Sequence, residues 1–187
     1  MKHRFFLHFF SLSALALTAC GKAPEATSPA VAVPPLNASP VGVDASAPVM
    51  GTDGSEIGQA FVVGGPHGLL LRVSVSGLTE GFHGVHIHGI GNCSDPEAGF
   101  KASGSHFNPG NMAHGIMNPD GYKLANLPNI YVYPSGDGRA ELFAKDLFLE
   151  EALDQDGFSI IVHQNQDDHQ SQPIGGTGPR VACAAFQ

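Results

Sequence analysis

Apolar and polar residues alternate most regularly between positions 69 and 76. The apolar positions are Leu69, Leu71, Val73 and Val75, and the positions between them include Arg72, Ser74 and Ser76. Successive side chains of a strand point to opposite faces of its sheet, so this alternation predicts a half-buried strand. No stretch shows sustained helical periodicity, and none has the roughly 18 consecutive apolar residues that span a bilayer.

Shorter stretches of similar character predict further strands. They lie at 59–63, 81–89, 129–133, 139–144, 158–163 and 180–185, and residues 147–154 predict a helical turn. A long loop runs from Gly89 to about Pro128, and a loop of that length inside a compact domain is usually functional. Seven or eight short strands predict an all-β sandwich or flattened barrel.

The first 19 residues predict a signal peptide. Lys2 and Arg4 give a basic start, residues 5–17 are an apolar run, and the next residues, Thr-Ala-Cys, complete a sequence that resembles the lipobox of bacterial lipoproteins. Processing would acylate Cys20, which predicts a protein anchored to a membrane in the bacterial periplasm. Gly21, by resemblance to Gram-negative lipoproteins, implies the outer membrane. The alternative is an ordinary signal peptide with a chance cysteine.

Composition divides the rest of the chain. Residues 20–46 are rich in Pro and Ala and predict a flexible linker, whereas residues 47–187 predict one folded domain. The chain has 24 glycines, 14 prolines and 14% charged residues, a profile typical of strands and turns. Residues 1–19 hold two of the nine basic residues and none of the 17 acidic ones, so residues 20–187 carry a net charge of −10. That charge argues against a nucleic-acid partner.

The three cysteines have different predicted roles. With Cys20 lipidated, Cys93 and Cys183 remain as an even pair in an exported chain. A disulfide between them would join the long loop to the last strand. The alternative is a pair of free buried thiols.

Histidines supply the candidate chemistry. In an extended stretch His86 and His88 leave the same face of the strand, where two imidazoles form half a metal site, and His83 points to the opposite face. Core imidazoles with satisfied hydrogen bonds are the alternative for an isolated His-x-His.

Several motifs in one order give a more specific signal. They are Gly-Phe-His-Gly-x-His-x-His from Gly81, then Cys93, His-Phe-Asn-Pro from His106, His-Gly from His114, Leu-Pro-Asn from Leu127, Val-His ending at His163, and Gly-x-Arg-Val-Ala-Cys ending at Cys183. In this order they resemble a copper/zinc superoxide dismutase of the bacterial secreted branch, over roughly residues 47–187. The resemblance implies a Greek-key, immunoglobulin-like β-sandwich or flattened eight-stranded barrel with long metal-site loops.

The resemblance also implies functional residues. The copper ligands of the family fall on His86, His88, His106 and His163, which implies one copper per chain. Arg180 matches the arginine that attracts the anionic substrate. Asp167 matches the aspartate linking a copper-ligand histidine to a zinc-ligand histidine, and His83 matches a structural histidine behind the copper strand.

The zinc site departs from the family pattern. His106 and His114 remain at zinc-ligand positions, but Lys123 and Asn126 stand where the family has a histidine and an aspartate. Lysine is protonated at neutral pH and a neutral amide is a poor zinc ligand, so zinc is expected to be absent or held in a nonstandard way. Asp120 is an alternative ligand after a local shift. Lys123 either replaces the charge of zinc near Asp167 or His114, or is a solvated loop residue.

The expected function is that of a copper-dependent superoxide dismutase. It converts superoxide to oxygen and hydrogen peroxide through alternate reduction and reoxidation of a histidine-ligated copper. The alternative is a periplasmic copper-binding or storage module with the same fold, which would need the four histidines but not Arg180. The expected partners are superoxide, a membrane through the anchor at Cys20, and a second copy of the chain in a possible homodimer.

Overall fold

A computed structural model describes residues 42–187 of the protein, which contain nine strands, one short helix and two 3-10 turns. The strands are β1 Ala45–Gly51, β2 Glu56–Gly65, β3 Gly68–Val75, β4 Gly81–His83, β5 Val85–His88, β6 Ile130–Val132, β7 Gly138–Lys145, β8 Phe158–His163 and β9 Arg180–Phe186. Helix α1 is Leu149–Ala152, and the 3-10 turns are Pro96–Ala98 and Lys101–Ser103. The predicted signal peptide, Cys20 and the first part of the predicted linker lie outside the described residues.

All neighbouring strands pair antiparallel, in the spatial order β4-β6-β7-β3-β2-β1-β9-β8-β5. The prediction of an all-β flattened barrel is confirmed, with nine strands where seven or eight were expected. Beyond the seven predicted stretches, one strand is β1 and the other arises because the histidine stretch is split at Gly84 into β4 and β5. These two halves pair at opposite edges of the sheet, with β6 and β8 respectively. The histidine stretch therefore joins the two edges and nearly closes the barrel.

Gly84 is required at this junction by a close approach of the chain. A Cβ atom there would lie 2.5 Å from Cγ2 of Thr177 and 3.4 Å from Cβ of Asp167. Its backbone N–H donates to the Asn165 carbonyl, and its own carbonyl accepts from the N–H of His163. The junction between β4 and β5 thus holds the loop of residues 164–179 against the histidine strand.

The core lies between the inward faces of the strands. In β3 the alternation read from the sequence is observed, since Leu69, Leu71, Val73 and Val75 are all buried. Strand β5 is different because all four of its residues are buried, so its histidines lie away from bulk water. Within residues 42–187 no helix has the length and apolarity needed to cross a membrane.

Strand β1 was not predicted, and its first two residues fall in the predicted linker. It contains Pro48 and two alanines, so its sequence resembles the linker before it. Its pairing with β2 and β9 makes it a central strand. The folded unit therefore begins at least as early as Ala45.

The predicted disulfide between Cys93 and Cys183 is confirmed. It joins the long loop to β9, with Cα atoms 5.8 Å apart and a sequence separation of 90 residues. Cys183 is fully buried in a small apolar cluster with Phe100 and Ile161. The bridge therefore fixes the part of the loop that comes just before the next functional segment, residues 100–106.

Candidate metal centre

Four histidines from three parts of the chain meet at one end of the barrel. His86 and His88 lie on β5 and His163 is the last residue of β8, which pairs with β5. The long loop supplies His106, because residues 105–107 form backbone hydrogen bonds along β5 and His106 forms an isolated bridge with His88. The ring centroid of His86 lies 4.2 Å from that of His106 and 4.9 Å from that of His163. The centroids of His88 and His106 are 5.0 Å apart.

Three of these rings are oriented by an oxygen acceptor on one ring nitrogen. Nε2 of His86 lies 2.7 Å from Oδ2 of Asp167. Nδ1 of His88 lies 3.0 Å from the carbonyl oxygen of Gly104, and Nδ1 of His163 lies 3.1 Å from that of Gly178. Carbonyl and carboxylate oxygens only accept hydrogen bonds, so these ring nitrogens carry the protons. The opposite nitrogen of each neutral ring therefore has a free lone pair.

Those opposite nitrogens are buried and have no hydrogen-bond partner. The described residues contain five such buried side-chain nitrogen or oxygen atoms, which are His86 Nδ1, His88 Nε2, His106 Nδ1, His163 Nε2 and His169 Nδ1. Buried polar atoms are normally paired, because an unpaired one costs about 1–3 kcal/mol. Ligand nitrogens of His86, His106 and His163 all lie within 4.8 Å of one another. Convergent, unpaired imidazole nitrogens are the donor set expected for a transition metal such as copper or zinc.

Burial keeps these histidines neutral. It lowers the pKa of His88 to about 3 and that of His163 to about 4, with a further contribution from the nearby charge of Arg180. Burial also lowers the pKa values of His86 and His106. At neutral pH a metal ion would therefore meet free lone pairs and would not have to displace protons.

The lowered pKa values predict that acid destabilises the metal-free protein. The pKa of an unfolded histidine is about 6.5, so between pH 6.5 and about 4 the unfolded chain binds more protons than the folded one, and stability falls as pH falls. Each such histidine contributes up to about 1.4 kcal/mol per pH unit in that window. Urea unfolding of metal-free protein at pH 7 and pH 5 measures the effect. In the variant His163→Asn the free energy of unfolding should change less between pH 7 and pH 5. An equal change in the variant and the unaltered protein would contradict a lowered pKa for His163.

Asp167 connects the histidine cluster to a second group of polar residues. Its Oδ2 accepts from His86 and its Oδ1 lies 3.1 Å from Nε2 of His114. Burial alone would raise the pKa of this carboxyl, but the hydrogen bonds from His114 and His86 outweigh burial and hold the pKa well below its usual range. Asp167 is therefore an anion that fixes the protonated nitrogen of both rings.

Two residues that sequence reasoning missed hold Asp167 in place. Asn129 forms two hydrogen bonds with the backbone of Asp167. Its side-chain Oδ1 accepts from the N–H of Asp167, and its Nδ2 donates to the carbonyl of Asp167. Gly175 has φ +63°, and a Cβ there would lie 1.8 Å from Oδ1 of Asp167. The Leu-Pro-Asn motif and the paired glycines at 175–176 were the available signals for these two positions.

The residues at the expected zinc site are bonded to one another. Nδ1 of His114, the nitrogen not facing Asp167, accepts a hydrogen bond of 2.9 Å from Nδ2 of Asn126. Oδ1 of Asn126 accepts from the N–H of Gly115. Nζ of Lys123 donates to the carbonyl of Pro173 at 3.1 Å, not to Asp167 or His114. Asp120 is exposed and belongs to none of the potential metal-binding groups among the described residues.

Restoring the two missing ligand types is expected to create a zinc site. In the double variant Lys123→His/Asn126→Asp a carboxylate replaces the amide that donates to His114, so Nδ1 of His114 becomes available and three histidines and one aspartate stand at the four ligand positions. Copper-loaded variant protein should retain about one added zinc equivalent after dialysis, measured by elemental analysis. Asn126→Asp alone is the matched control and should retain less. Equal zinc retention by the unaltered protein would show that its own residues already suffice.

Arg180 is fixed beside the histidine cluster by three hydrogen bonds. Its guanidinium donates to the carbonyl of Phe100 at 2.7 Å, to Oγ of Ser103 at 3.0 Å and to the carbonyl of Gly104 at 2.9 Å. It lines a cavity of about 400 Å³ whose other lining residues are His88, Ser105, His106, Asn108, Lys123, His163, Pro173, Ile174 and Gly178. The cavity gives small molecules a route to three of the four histidines.

His83 lies outside this cluster and contacts it through the backbone. Its Nδ1 lies 2.7 Å from the carbonyl oxygen of His163, and its Nε2 lies 2.8 Å from that of Thr79. The buried ring ties the end of β8 to the turn before β4 and so holds the backbone of His163.

Comparison with known proteins gives one consistent family. Residues 56–186 match the family described as copper/zinc superoxide dismutase (SODC). The Cu-Zn superoxide dismutase of Caulobacter vibrioides is 41% identical over 150 residues, which are 76% of this chain and 85% of that protein. A crystal structure of a SOD-like protein from Bacillus subtilis has a TM-score of 0.71 and 31% identity, and covers 76% of this chain and 97% of that one. The Cu/Zn superoxide dismutase from Brucella abortus has a TM-score of 0.63 and 26% identity, and covers 76% and 99% respectively.

Proposed function

The chain belongs to the copper/zinc superoxide dismutase family, and on that premise we propose that it is a copper-dependent superoxide dismutase that works without zinc. The reaction is 2 O2•− + 2 H+ giving O2 and H2O2. The observation that carries the proposal is the set of unpaired, buried ring nitrogens on His86, His88, His106 and His163. Each belongs to a ring whose position is fixed by pairing with β5 or β8, or by hydrogen bonds.

Copper, when bound by these four histidines, would supply one-electron chemistry between its Cu(II) and Cu(I) states, both of which accept imidazole donors. The chain supplies orientation. Asp167, Gly104 and Gly178 hold the protonated nitrogens of three rings, so the opposite nitrogen of each ring keeps a free lone pair. Burial of the rings limits water at the site to what enters through the cavity.

Arg180 distinguishes the dismutase from a copper-storage module. Its guanidinium is held by three acceptors that are all neutral, two carbonyls and a hydroxyl, so its positive charge is not neutralised by them. It lies in the wall of the cavity that leads to the histidines. A fixed cation there attracts and orients an anion such as superoxide, whereas storage of copper does not require one.

Zinc independence rests on the hydrogen bonds that replace the usual ligands. Asn126 donates to His114, and His114 donates to Asp167, which in turn accepts from His86. This chain of hydrogen bonds fixes the orientation of His86 through protein groups alone. The loop that zinc would otherwise hold is thereby connected to β5 without a metal.

A reconstitution series tests the proposal. Metal-free protein is loaded with copper, with zinc, or with both, and each sample is assayed for bound metal and for superoxide dismutation. We expect about one copper per chain and equal activity with and without zinc. If the protein binds copper tightly but dismutates superoxide no faster than free copper does, it is a copper-storage module and not a dismutase. Activity that requires added zinc would refute the zinc-independent mechanism and leave the dismutase assignment.

We further propose that the mature protein is a periplasmic lipoprotein attached to the membrane through Cys20. The support is the signal-like start of the chain and the lipobox-like sequence before Cys20. Metabolic labelling with radioactive palmitate should mark the protein, and Cys20→Ala should remove the label. Label retained by the variant would place the lipid elsewhere. The possible homodimer also stays a prediction, which sedimentation of the soluble domain would test.

A further inference from the structure

We propose that Lys123 and Arg180 together form a two-cation site that captures small anions at the cavity above the histidines. Lys123, which stands where relatives would supply a zinc ligand, thereby acts as a positioning residue for the anionic substrate. This inference rests on the proposed function for its biological meaning. Its physical content, which is anion capture, does not depend on catalytic turnover.

The charges around the cavity support this site. The cavity is lined by Lys123 and Arg180, and none of its described lining residues is an aspartate or a glutamate. The described part of the chain as a whole is strongly acidic, with 6 Lys and Arg, Lys123 and Arg180 included, against 16 Asp and Glu in residues 42–187. A monovalent anion approaching the protein is therefore repelled by most of the surface and attracted at this cavity.

Two of the other four described basic residues are paired with acidic side chains. Arg72 forms an ion pair with Glu141, and Lys145 forms one with Asp146. The loop of residues 164–179 passes beside the site and contains Asp167 and Asp168 but no Lys or Arg. Lys123 and Arg180 are the two cations in the cavity wall.

Hydrogen bonds fix both the backbone and the side-chain ammonium of Lys123. Its backbone N–H donates to the carbonyl of Ala113, and its Nζ donates to the carbonyl of Pro173. An ammonium group has three N–H donors, so donors remain for an anion beside the Pro173 carbonyl.

The experiment compares copper-loaded protein with three variants, Lys123→Gln, Lys123→Arg and Lys145→Gln. Lys145→Gln is the matched control because it removes one exposed positive charge that is not part of the cavity lining. Azide is the probe, and its dissociation constant is measured by titration of the Cu(II) absorption. The second readout is kcat/KM for superoxide as a function of ionic strength.

We expect Lys123→Gln to raise the azide dissociation constant about threefold and to lower kcat/KM about twofold at low ionic strength, with the second difference vanishing at high salt. Lys123→Arg should restore both values, and Lys145→Gln should change neither. If Lys123→Gln behaves as Lys145→Gln does in both assays, the two-cation site is refuted even when the protein is a fast dismutase. If azide binding weakens as expected in a protein that does not dismutate superoxide, the site stands and the proposed function fails.

Discussion

Replacing His163 by alanine is expected to abolish stoichiometric copper binding and to lower the dismutation rate by more than about a hundredfold. Substitutions of residues that merely hold a metal ligand already cost about 10–100-fold, and His163 is proposed as a ligand itself. Its Nδ1 is held by the carbonyl of Gly178 and its Nε2 is buried without a partner, so no other group can supply that nitrogen after truncation.

His67 offers the matched control for this experiment. It is an exposed histidine in the turn between β2 and β3 and is remote in sequence from every candidate ligand. His67→Ala removes one imidazole from the surface and should leave copper content and rate unchanged. Copper content is measured by elemental analysis after dialysis, and the rate by superoxide decay. Full copper content and full activity in His163→Ala would refute the proposed ligand set.

Loss of the disulfide is expected to cause the largest change in stability. The chain-entropy account assigns about 4–5 kcal/mol to a crosslink that closes a loop of about 90 residues, and measured values are often smaller. The variant Cys93→Ser should therefore lower the free energy of unfolding by a few kcal/mol in urea. The double variant Cys93→Ser/Cys183→Ala should be similar, which would show that loss of the crosslink, and not of one thiol, is responsible.

The same variant should also weaken the site. Residues 100–104 follow Cys93 in the long loop, and their carbonyls hold Arg180 and His88. A loop released from β9 holds these two side chains less firmly, so activity per bound copper should fall together with stability. A reducing agent should reproduce both effects in the unaltered protein and change nothing in Cys93→Ser. Unchanged stability on reduction would contradict this account of the bridge.

Local sequence patterns sufficed where neighbouring residues determine the structure. The alternation at 69–76 identified β3, and the apolar run Phe158–His163 gave the exact bounds of β8. The i, i+2 spacing of His86 and His88 placed two imidazoles on one strand. Cys93 and Cys183 were paired correctly because few cysteines left few alternatives.

Local sequence patterns could not predict features that depend on contacts between distant parts of the chain. The split of the histidine strand at Gly84 depends on Thr177, more than 90 positions later. Likewise, the hydrogen bond from Asn126 to His114 depends on a bridge between Asn126 and His86. Lys123 was weighed as a neighbour of Asp167 or His114, yet the carbonyl of Pro173 holds its ammonium at the cavity wall.

The central claim is that four histidines and one arginine suffice for dismutation without zinc. The most direct measurement is the second-order rate constant for superoxide decay, obtained by pulse radiolysis of soluble residues 21–187 loaded with one copper equivalent, with zinc excluded. The account predicts a rate constant near the diffusional limit of about 10⁸–10⁹ M⁻¹s⁻¹. A rate no faster than that of free copper, with copper still tightly bound, would contradict it and identify a copper-binding protein.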